Sequence, residues 1–331
     1  MGYNNYSDAF YNQRQADRKA SGRSTFDYSA RVISGAAPMV VHPSLDIRGK
    51  IRESRDSAQH PESTPIGLIF DVTGSMRVVP QILQRRLPKF MGLMQRKAYV
   101  PDPQILMGAI GDYPMRDAVP LQIGQFESGL EMDDDINNIV LEGGGAGNMH
   151  ESYQNALYFM AHRTRCDAWE KRGKKGHLVL IGDEMAYDRS TYGELEALIG
   201  GDVDADVTFD AIMTAALRTW NVYFILPGGT CYFNDPQIER FWKKYVGENF
   251  IRMEDPEAIC ETIGLAIGLH EGMVSPDGMA IDLQDVGVDA SIVKTATDSV
   301  DALARQCALM RVGTGGSLPS KTGRSSKTER L

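Results

Sequence analysis

The chain has 331 residues, of which 42% are apolar and 24% are charged, a balance typical of a globular protein with one large domain or two modest ones. The formal net charge of −9 argues against nucleic acid as a partner, because binding to phosphates relies on clustered Lys and Arg side chains. No segment reaches the roughly 18 consecutive apolar residues that a membrane-spanning helix requires, so we expect no membrane association.

The cysteine content and the N-terminal composition indicate the compartment. The four cysteines, Cys166, Cys231, Cys260 and Cys307, are far apart in sequence, and they form neither a CxxC metal-binding pair nor a disulfide framework. The first residues lack the apolar core of a secretory signal peptide. We therefore expect a reducing, cytoplasmic environment.

The composition changes along the chain and predicts four regions. Residues 1–62 are rich in Asn, Ser, Gln, Arg and Tyr, which predicts a polar arm that is flexible or docks on another surface. The main domain is predicted at 63–270. A helical extension follows at 271–312, and the Gly-, Ser- and Lys-rich segment 313–331 is predicted to be a disordered basic tail.

Between the two ends, apolar runs typical of buried strands alternate with helical patterns, which predicts a doubly wound α/β fold. Crossovers through helices return the chain to a mostly parallel sheet. A short turn-rich segment joins the second and third runs, which predicts a hairpin and one antiparallel edge strand. The predicted strands are 66–70, 105–110, 121–126, 177–181, 222–226 and 250–253. The predicted helices are 81–96, 133–141, 151–163, 192–199, 209–219, 235–245, 256–269 and 291–310.

The stretch PIGLIFDVTGSM at 65–76 is the strongest functional signal. Its apolar run ends on Asp71, and Thr73 and Ser75 follow at alternate positions. Alternate side chains of an extended segment point the same way, so these three can direct oxygens at one point. One carboxylate and two hydroxyls suit Mg²⁺ or Mn²⁺ better than Zn²⁺.

A second acid is placed to join this site. Ligands of doubly wound sheets bind beyond the carboxyl ends of the strands, and Asp183 follows the run LVLIG at such an end. Because most of these donors are neutral, a bound ion would keep excess positive charge. We therefore predict that the site attracts a carboxylate of a partner.

Four segments together resemble the von Willebrand factor A (VWA) domain family. DVTGSM resembles the DxSxS motif of its metal-ion-dependent adhesion site (MIDAS), in the DxTGSM form. GDYPMRD resembles a turn of one VWA subgroup, LEGGGAGNMHESYQNAL resembles the GGGDxPE segment, and LVLIGDE resembles the strand that closes the site with an Asp. The resemblance covers roughly residues 64–270. It implies a six-stranded sheet of order 3-2-1-4-5-6 and non-enzymatic protein binding through a divalent cation.

The resemblance also implies a set of metal ligands. Its first loop supplies three oxygens and its third loop one Asp, whereas the usual Thr or Asp of the second loop is replaced here by Gly-Ala-Gly-Asn. An amide or carboxylate just beyond would then serve, directly or through water. The candidate ligands are Asp71, Thr73, Ser75, Asp183, and Asn148 or Glu151. Similarity to bacterial VWA proteins further implies a AAA+ ATPase of the MoxR kind as a partner.

Two other functions compete with this hypothesis. A haloacid-dehalogenase-like phosphatase would use Asp71 as nucleophile, Lys174 or Lys175, and Asp183 with Asp188 to hold Mg²⁺. Its general acid would fall at Thr73, whose hydroxyl cannot protonate a leaving group at neutral pH. The third hypothesis is a structural or assembly component of a large particle, in which the VWA fold is a scaffold and the terminal segments order on a partner.

Other polar residues near these motifs are assigned simpler roles. Asp112 and Asp117 are predicted to be turn residues rather than ligands. His150 is predicted to be a surface or capping residue. The glycine run 143–145 lacks the Lys and Ser/Thr of a phosphate-binding loop, so it predicts close backbone approach and no nucleotide site.

Overall fold

A computed structural model describes most of the chain, and its side chains are described up to residue 311. The described residues are 6–23, 25–76, 78–144, 147–201 and 203–314. From residue 315 onward, the predicted disordered tail lies outside them.

The strands and helices alternate through the central part of the chain. The strands are β1 (Arg52–Ser54), β2 (Thr64–Asp71), β3 (Pro103–Ile110), β4 (Leu121–Ile123), β5 (His150–Glu151), β6 (Thr164–Cys166), β7 (Gly176–Ile181), β8 (Met185–Ala186), β9 (Arg189–Ser190), β10 (Val207–Thr208), β11 (Trp220–Pro227) and β12 (Phe250–Met253). The α-helices are α1 (Asp8–Ala20), α2 (Asp27–Ile33), α3 (Val79–Met91), α4 (Glu131–Asn138), α5 (Tyr153–His162), α6 (Asp167–Arg172), α7 (Tyr192–Leu198), α8 (Phe209–Thr219), α9 (Pro236–Val246), α10 (Ile259–Glu271), α11 (Met279–Asp285), α12 (Ala290–Ser299) and α13 (Asp301–Thr314).

A six-stranded sheet in the order β12-β11-β7-β2-β3-β4 forms the centre of the molecule. Its strands are parallel except for β4, which pairs antiparallel with β3 through the register Gly108 to Ile123 and Ile110 to Leu121. Counted in chain order within this sheet, the strands lie in the order 3-2-1-4-5-6. The predicted α/β class, the mostly parallel six-stranded sheet and its one antiparallel edge pair are confirmed.

Helices cover both faces of this sheet because its central strands are apolar on both sides. On β2, Leu68 and Phe70 belong to the core beneath α3, α10 and the C-terminal helices, whereas Ile69 belongs to the core beneath α5, α8 and α9. This two-residue alternation places the helices in layers on either side of the strands. The sheet is therefore rigidly enclosed, and its strand ends are where polar side chains can converge.

The N-terminal region packs against the domain and is not a flexible arm over its described part. Tyr11 is buried and donates a hydrogen bond from its hydroxyl to the carbonyl oxygen of Gln84 on α3, at 2.6 Å. Arg18 forms an ion pair of 2.9 Å with Asp133, a buried side chain on α4. Of the two predicted alternatives, a flexible or a docked arm, the described part agrees with the docked one, because scattered aromatic and arginine side chains contact the domain. The domain boundaries remain predictions.

The segment after α10 forms three helices where the sequence predicted one long helix. α12 ends at Ser299 and α13 begins at Asp301, so the predicted pattern 291–310 breaks in the middle. The Tyr99 hydroxyl donates to Asp282 on α11 at 3.0 Å, which ties this extension to the segment that precedes β3. Within the described residues, no helix combines the length and apolarity needed to cross a membrane.

Candidate functional site

The first loop of the candidate site begins at the carboxyl end of β2. Asp71 is fully buried, and its Oδ1 accepts a hydrogen bond of 2.6 Å from the backbone N–H of Thr73. A carboxylate that accepts from the N–H two residues on closes a tight turn. The chain then forms a 3₁₀ turn at Gly74–Met76, which carries Ser75. Asp71 Oδ2 has no hydrogen-bond partner among the described residues.

Main-chain hydrogen bonds hold the glycine run against this first loop. The Gly74 N–H donates to the Gly144 carbonyl oxygen at 2.7 Å, and the Gly143 N–H donates to the Val72 carbonyl oxygen at 3.2 Å. A Cβ atom on Gly144 would lie 2.6 Å from Asp117 Oδ1, which is closer than real Cβ contacts. The glycines therefore allow the close backbone approach that the sequence predicted.

A short parallel pairing between β5 and β8 brings the second and third loops together. Glu151 is the last residue of β5, and Glu184 immediately precedes β8. Glu151 is 1% exposed, and its Oε2 has no hydrogen-bond partner among the described residues. Glu184 is 6% exposed.

Asp183 connects the third loop to the first. It lies two residues beyond the end of β7 and is fully buried. The Ser75 hydroxyl donates to its Oδ1 at 2.8 Å, and the Tyr232 N–H donates to its Oδ2 at 3.3 Å. Asp183 therefore orients Ser75 and also ties in the loop that follows β11.

Three carboxylates converge where these loops meet. Asp71, Glu151 and Glu184 each offer an oxygen atom within 4.8 Å of the other two. Among the described residues, none of the three forms an ion pair with a Lys, Arg or His side chain. At an effective dielectric constant of about 20, two unit charges at this separation repel by roughly 3 kcal/mol. The cluster cannot be fully ionised at low cost without a cation.

The pKa values reflect this burial and crowding. Burial raises the pKa of Asp71 well above its usual value, and the charges of Asp183 and Glu184 raise it further, against the lowering effect of the Thr73 hydrogen bonds. Burial, followed by the charge of Asp71, strongly raises the pKa of Glu151. Burial and the charge of Asp183 raise the pKa of Glu184 to about 7. In the absence of a cation, the cluster therefore retains protons at neutral pH.

The donors fit a hard divalent cation. Two buried carboxylate oxygens in the cluster of three acids lack partners among the described residues, and the first loop that begins at Asp71 also carries the hydroxyls of Thr73 and Ser75. Mg²⁺ and Mn²⁺ prefer such oxygen ligands, whereas Zn²⁺ favours His and Cys, which this ligand set lacks. The hydroxyl of Tyr153 is also buried without a partner in the described part of the chain, and the nearby acids add to the effect of burial in raising its pKa.

The two predicted second-loop residues, Glu151 and Asn148, have different surroundings in the structure. Glu151 joins the carboxylate cluster. The Asn148 amide nitrogen donates to the Tyr187 hydroxyl at 2.8 Å, and its oxygen accepts from the His150 N–H at 3.1 Å, so its polar atoms are used locally. The His150 ring stacks on Tyr187 with a centroid distance of 5.3 Å. Gly145 and Ala146 lie outside the described residues.

Two acids at the site have roles that the sequence did not predict. Alternation in an extended segment would direct Glu184 away from its neighbour Asp183, but the bend after β7 removes that alternation. Asp112 was predicted to be a turn residue, yet it is fully buried and accepts from the Tyr187 hydroxyl at 2.9 Å. Burial raises its pKa to about 6. Its N–H, in turn, donates to Asp117 at 2.7 Å, so Asp117 does serve the turn.

The residues of the phosphatase hypothesis do not converge. Lys174 pairs with Glu271 at 2.6 Å and precedes the amino end of β7, whereas Asp71 ends the parallel strand β2. A six-residue strand spans about 20 Å, so this Lys lies at the opposite edge of the sheet from the candidate site. Lys175 donates to the Leu217 carbonyl oxygen at the same edge. Asp188 is exposed and pairs with its neighbour Arg189.

Comparison with known proteins gives only distant similarities. No protein-family model matches the chain, and no curated protein sequence matches it. Similar solved structures include the pilus adhesin SpaC from Lactobacillus rhamnosus GG, at 11% identity and a TM-score of 0.43, over 67% of this chain and 31% of the adhesin. The vWF domain of the type V pili tip protein Mfa5 from Porphyromonas gingivalis shows 10% identity and a TM-score of 0.40, over 67% of this chain and 96% of that domain. Proximal thread matrix protein 1 from the mussel byssus shows 8% identity and a TM-score of 0.38, over 76% of this chain and 47% of that protein.

The chain thus spans less than a third of the adhesin's length. At such identities and TM-scores, these similarities carry no argument about function.

Proposed function

We propose that this chain is a VWA-type domain that binds a protein partner through Mg²⁺ or Mn²⁺ held at the carboxyl edge of its central sheet. The observation that supports this most directly is the pair of buried carboxylate oxygens without partners among the described residues, Asp71 Oδ2 and Glu151 Oε2, in a cluster of three acids. Burying such groups without compensation is costly, and a divalent cation offsets the cost. The sheet order agrees with that of the family whose motifs the sequence resembles.

The proposal gives each side chain a defined task. Asp71, Glu151 and Glu184 would provide carboxylate oxygens, and Thr73 and Ser75 would provide hydroxyl oxygens. Asp183 orients Ser75 through the hydrogen bond between them. When bound, the cation would supply a positive centre that accepts an oxygen of a partner protein. The proposal includes no catalytic step.

The partner is proposed to present an Asp or Glu side chain, and a AAA+ ATPase of the MoxR kind is the protein class that the sequence resemblance implies. We place the interaction in a reducing, cytoplasmic compartment, in keeping with the four unpaired cysteines. A membrane or nucleic acid is not part of this proposal.

Thermal unfolding tests metal binding directly. We expect millimolar Mg²⁺ or Mn²⁺ to raise the melting temperature of the EDTA-treated protein, since a ligand that binds only the folded state stabilises it. Asp71→Asn should abolish most of this rise, whereas Asp188→Asn, which changes an exposed acid that pairs with Arg189, should leave it intact. An equal rise in all three proteins would refute a specific site at Asp71.

Capture from the native host tests the partner. Full-length protein with Mg²⁺ should retain a partner that is released by EDTA and absent with Asp71→Ala. A partner that survives both changes would instead favour the scaffold hypothesis, in which the chain is a structural component of a large assembly and the cation is not required.

A further inference from the structure

The negative charge of the candidate site exceeds the charge expected from mostly neutral ligands. Asp71, Glu151 and Glu184 together offer three carboxylates within 4.8 Å of one another. Carboxylates that ligate a metal are ionised, so three negative charges already exceed the two positive charges of Mg²⁺ or Mn²⁺. Simple addition of a partner's carboxylate would bring a fourth negative charge to a compensated cation, and like charges at such distances repel.

Access to the cluster is also restricted. Asp71 is 0% exposed, Glu151 is 1% exposed and Glu184 is 6% exposed. The acid of a macromolecular partner therefore has no free path to the shared centre while all three side chains stay in place. Of the three, Glu184 lies nearest to solvent.

Glu184 is also the acid whose side chain can move with the least disturbance. Asp71 is fixed by the hydrogen bond from the Thr73 N–H to its own carboxylate, and the Glu151 side chain, at 1% exposure, has no solvent to move into. The main chain at Glu184 is anchored independently of its side chain, because its carbonyl oxygen accepts from Trp242 Nε1 at 2.9 Å. The carboxylate can therefore swing away without loss of that anchor.

We infer that Glu184 is a cation ligand supplied by this chain itself, and that it occupies the coordination position a partner's carboxylate takes by displacing it. This inference rests on the proposed function. Exchange of one carboxylate for another leaves the charge at the centre unchanged, whereas addition does not. Glu184 thereby determines which acidic partners can bind. A partner's carboxylate must displace one attached to the same chain, and only a carboxylate held by further contacts can do so.

Electron paramagnetic resonance with Mn²⁺ alone, followed by ¹³C-carboxylate acetate as the probe, tests this inference on the full chain. Titration of the free Mn²⁺ signal should show binding by the wild-type protein, and electron–nuclear double resonance should show no ¹³C coupling. Glu184→Ala should bind Mn²⁺ roughly 10- to 100-fold more weakly, as expected for loss of one charged ligand, and should gain a ¹³C coupling from coordinated acetate. Asp188→Asn, the control, should behave as the wild type.

The outcomes separate this inference from the proposed function. Unchanged Mn²⁺ affinity in Glu184→Ala without ¹³C coupling would overturn the inference and leave the cation site standing. A ¹³C coupling already present in the wild type would also overturn it, because the position would then be open. Absence of Mn²⁺ binding by the wild type would overturn both. If Glu184→Ala does not fold by circular dichroism, Glu184→Gln, which keeps the volume, must still weaken Mn²⁺ binding, and unchanged affinity would refute the inference.

Discussion

Replacing Glu151 with Gln should stabilise the metal-free protein. Burial raises the pKa of this carboxyl far above neutrality, so the folded state holds it protonated at pH 7, whereas the unfolded chain ionises it near pH 4.5. Each pH unit between these values costs the folded state about 1.4 kcal/mol, which amounts to roughly 3 kcal/mol at pH 7. Gln resembles the protonated form and does not carry this cost.

The sign of the pH dependence follows from the raised pKa. A carboxyl whose folded pKa exceeds its unfolded pKa destabilises the protein increasingly as the pH rises above about 4.5, until the folded pKa is reached. In EDTA, the stability difference between Glu151→Gln and the wild type should therefore grow from near zero at about pH 4.5 to roughly 3 kcal/mol at pH 7. With saturating Mn²⁺ the order should reverse, because the wild type retains a charged ligand.

Urea unfolding from pH 5 to pH 8, with EDTA or with Mn²⁺, measures both effects. Glu196→Gln is the matched control, since it makes the same chemical change at an exposed position. A Glu151→Gln protein that is less stable than the wild type in EDTA at pH 7 would refute the reasoning, since Glu151 would then be ionised and compensated by a group other than a metal.

Two further changes test other parts of the fold. Although burial raises the pKa of Glu271, hydrogen bonds and charges from His177 and Lys174 lower it to about 2. The ionised Glu271 should stabilise the fold by roughly 3 kcal/mol above about pH 4.5, and this contribution should be lost as the pH falls towards 2. The free energy of unfolding of Glu271→Gln should therefore decrease less steeply with falling pH than that of the wild type. Gly182→Ala would place a Cβ 1.8 Å from the Tyr153 hydroxyl and should destabilise the protein by about 1–3 kcal/mol in urea unfolding. Tyr153→Phe in the same protein should recover part of that loss; no recovery would show that the hydroxyl is not the obstacle.

The sheet was predictable because each of its strands is marked locally. Strands such as β2 and β7 are continuous apolar runs followed by a polar residue, and the helices between them are long enough to cross over. The N-terminal helices were not predictable in this way. Their contacts depend on isolated side chains, such as Tyr11 and Arg18, which meet partners more than 70 residues away in sequence.

The candidate site was predicted where strand geometry alone determines side-chain direction. The positions of Asp71 and Asp183 at the carboxyl ends of neighbouring strands follow from the strand pattern and from parallel pairing. Thr73 and Ser75 lie beyond β2, in a tight turn and a 3₁₀ turn, where the two-residue alternation of a strand does not apply. The position of the Glu184 side chain depends on a bend after β7 and on the pairing of β5 with β8. Because these two strands are only two residues long, they show no periodic pattern in the sequence. Sequence patterns therefore identified the loops of the site but not its full charge.

The connections between the loops explain why the fold tolerates such a concentration of charge. Hydrogen bonds from Gly74 to Gly144, from Ser75 to Asp183 and between β5 and β8 connect the loops directly, without a cation. The main chain consequently cannot separate the acids, so while their side chains stay in place only protons or a cation can offset their repulsion. A site of this kind exchanges fold stability for binding strength, because the free energy lost to crowded acids in the metal-free protein is recovered when a cation binds. Substitutions that remove one of these acids should therefore separate the two quantities, with stability rising in EDTA as cation affinity falls.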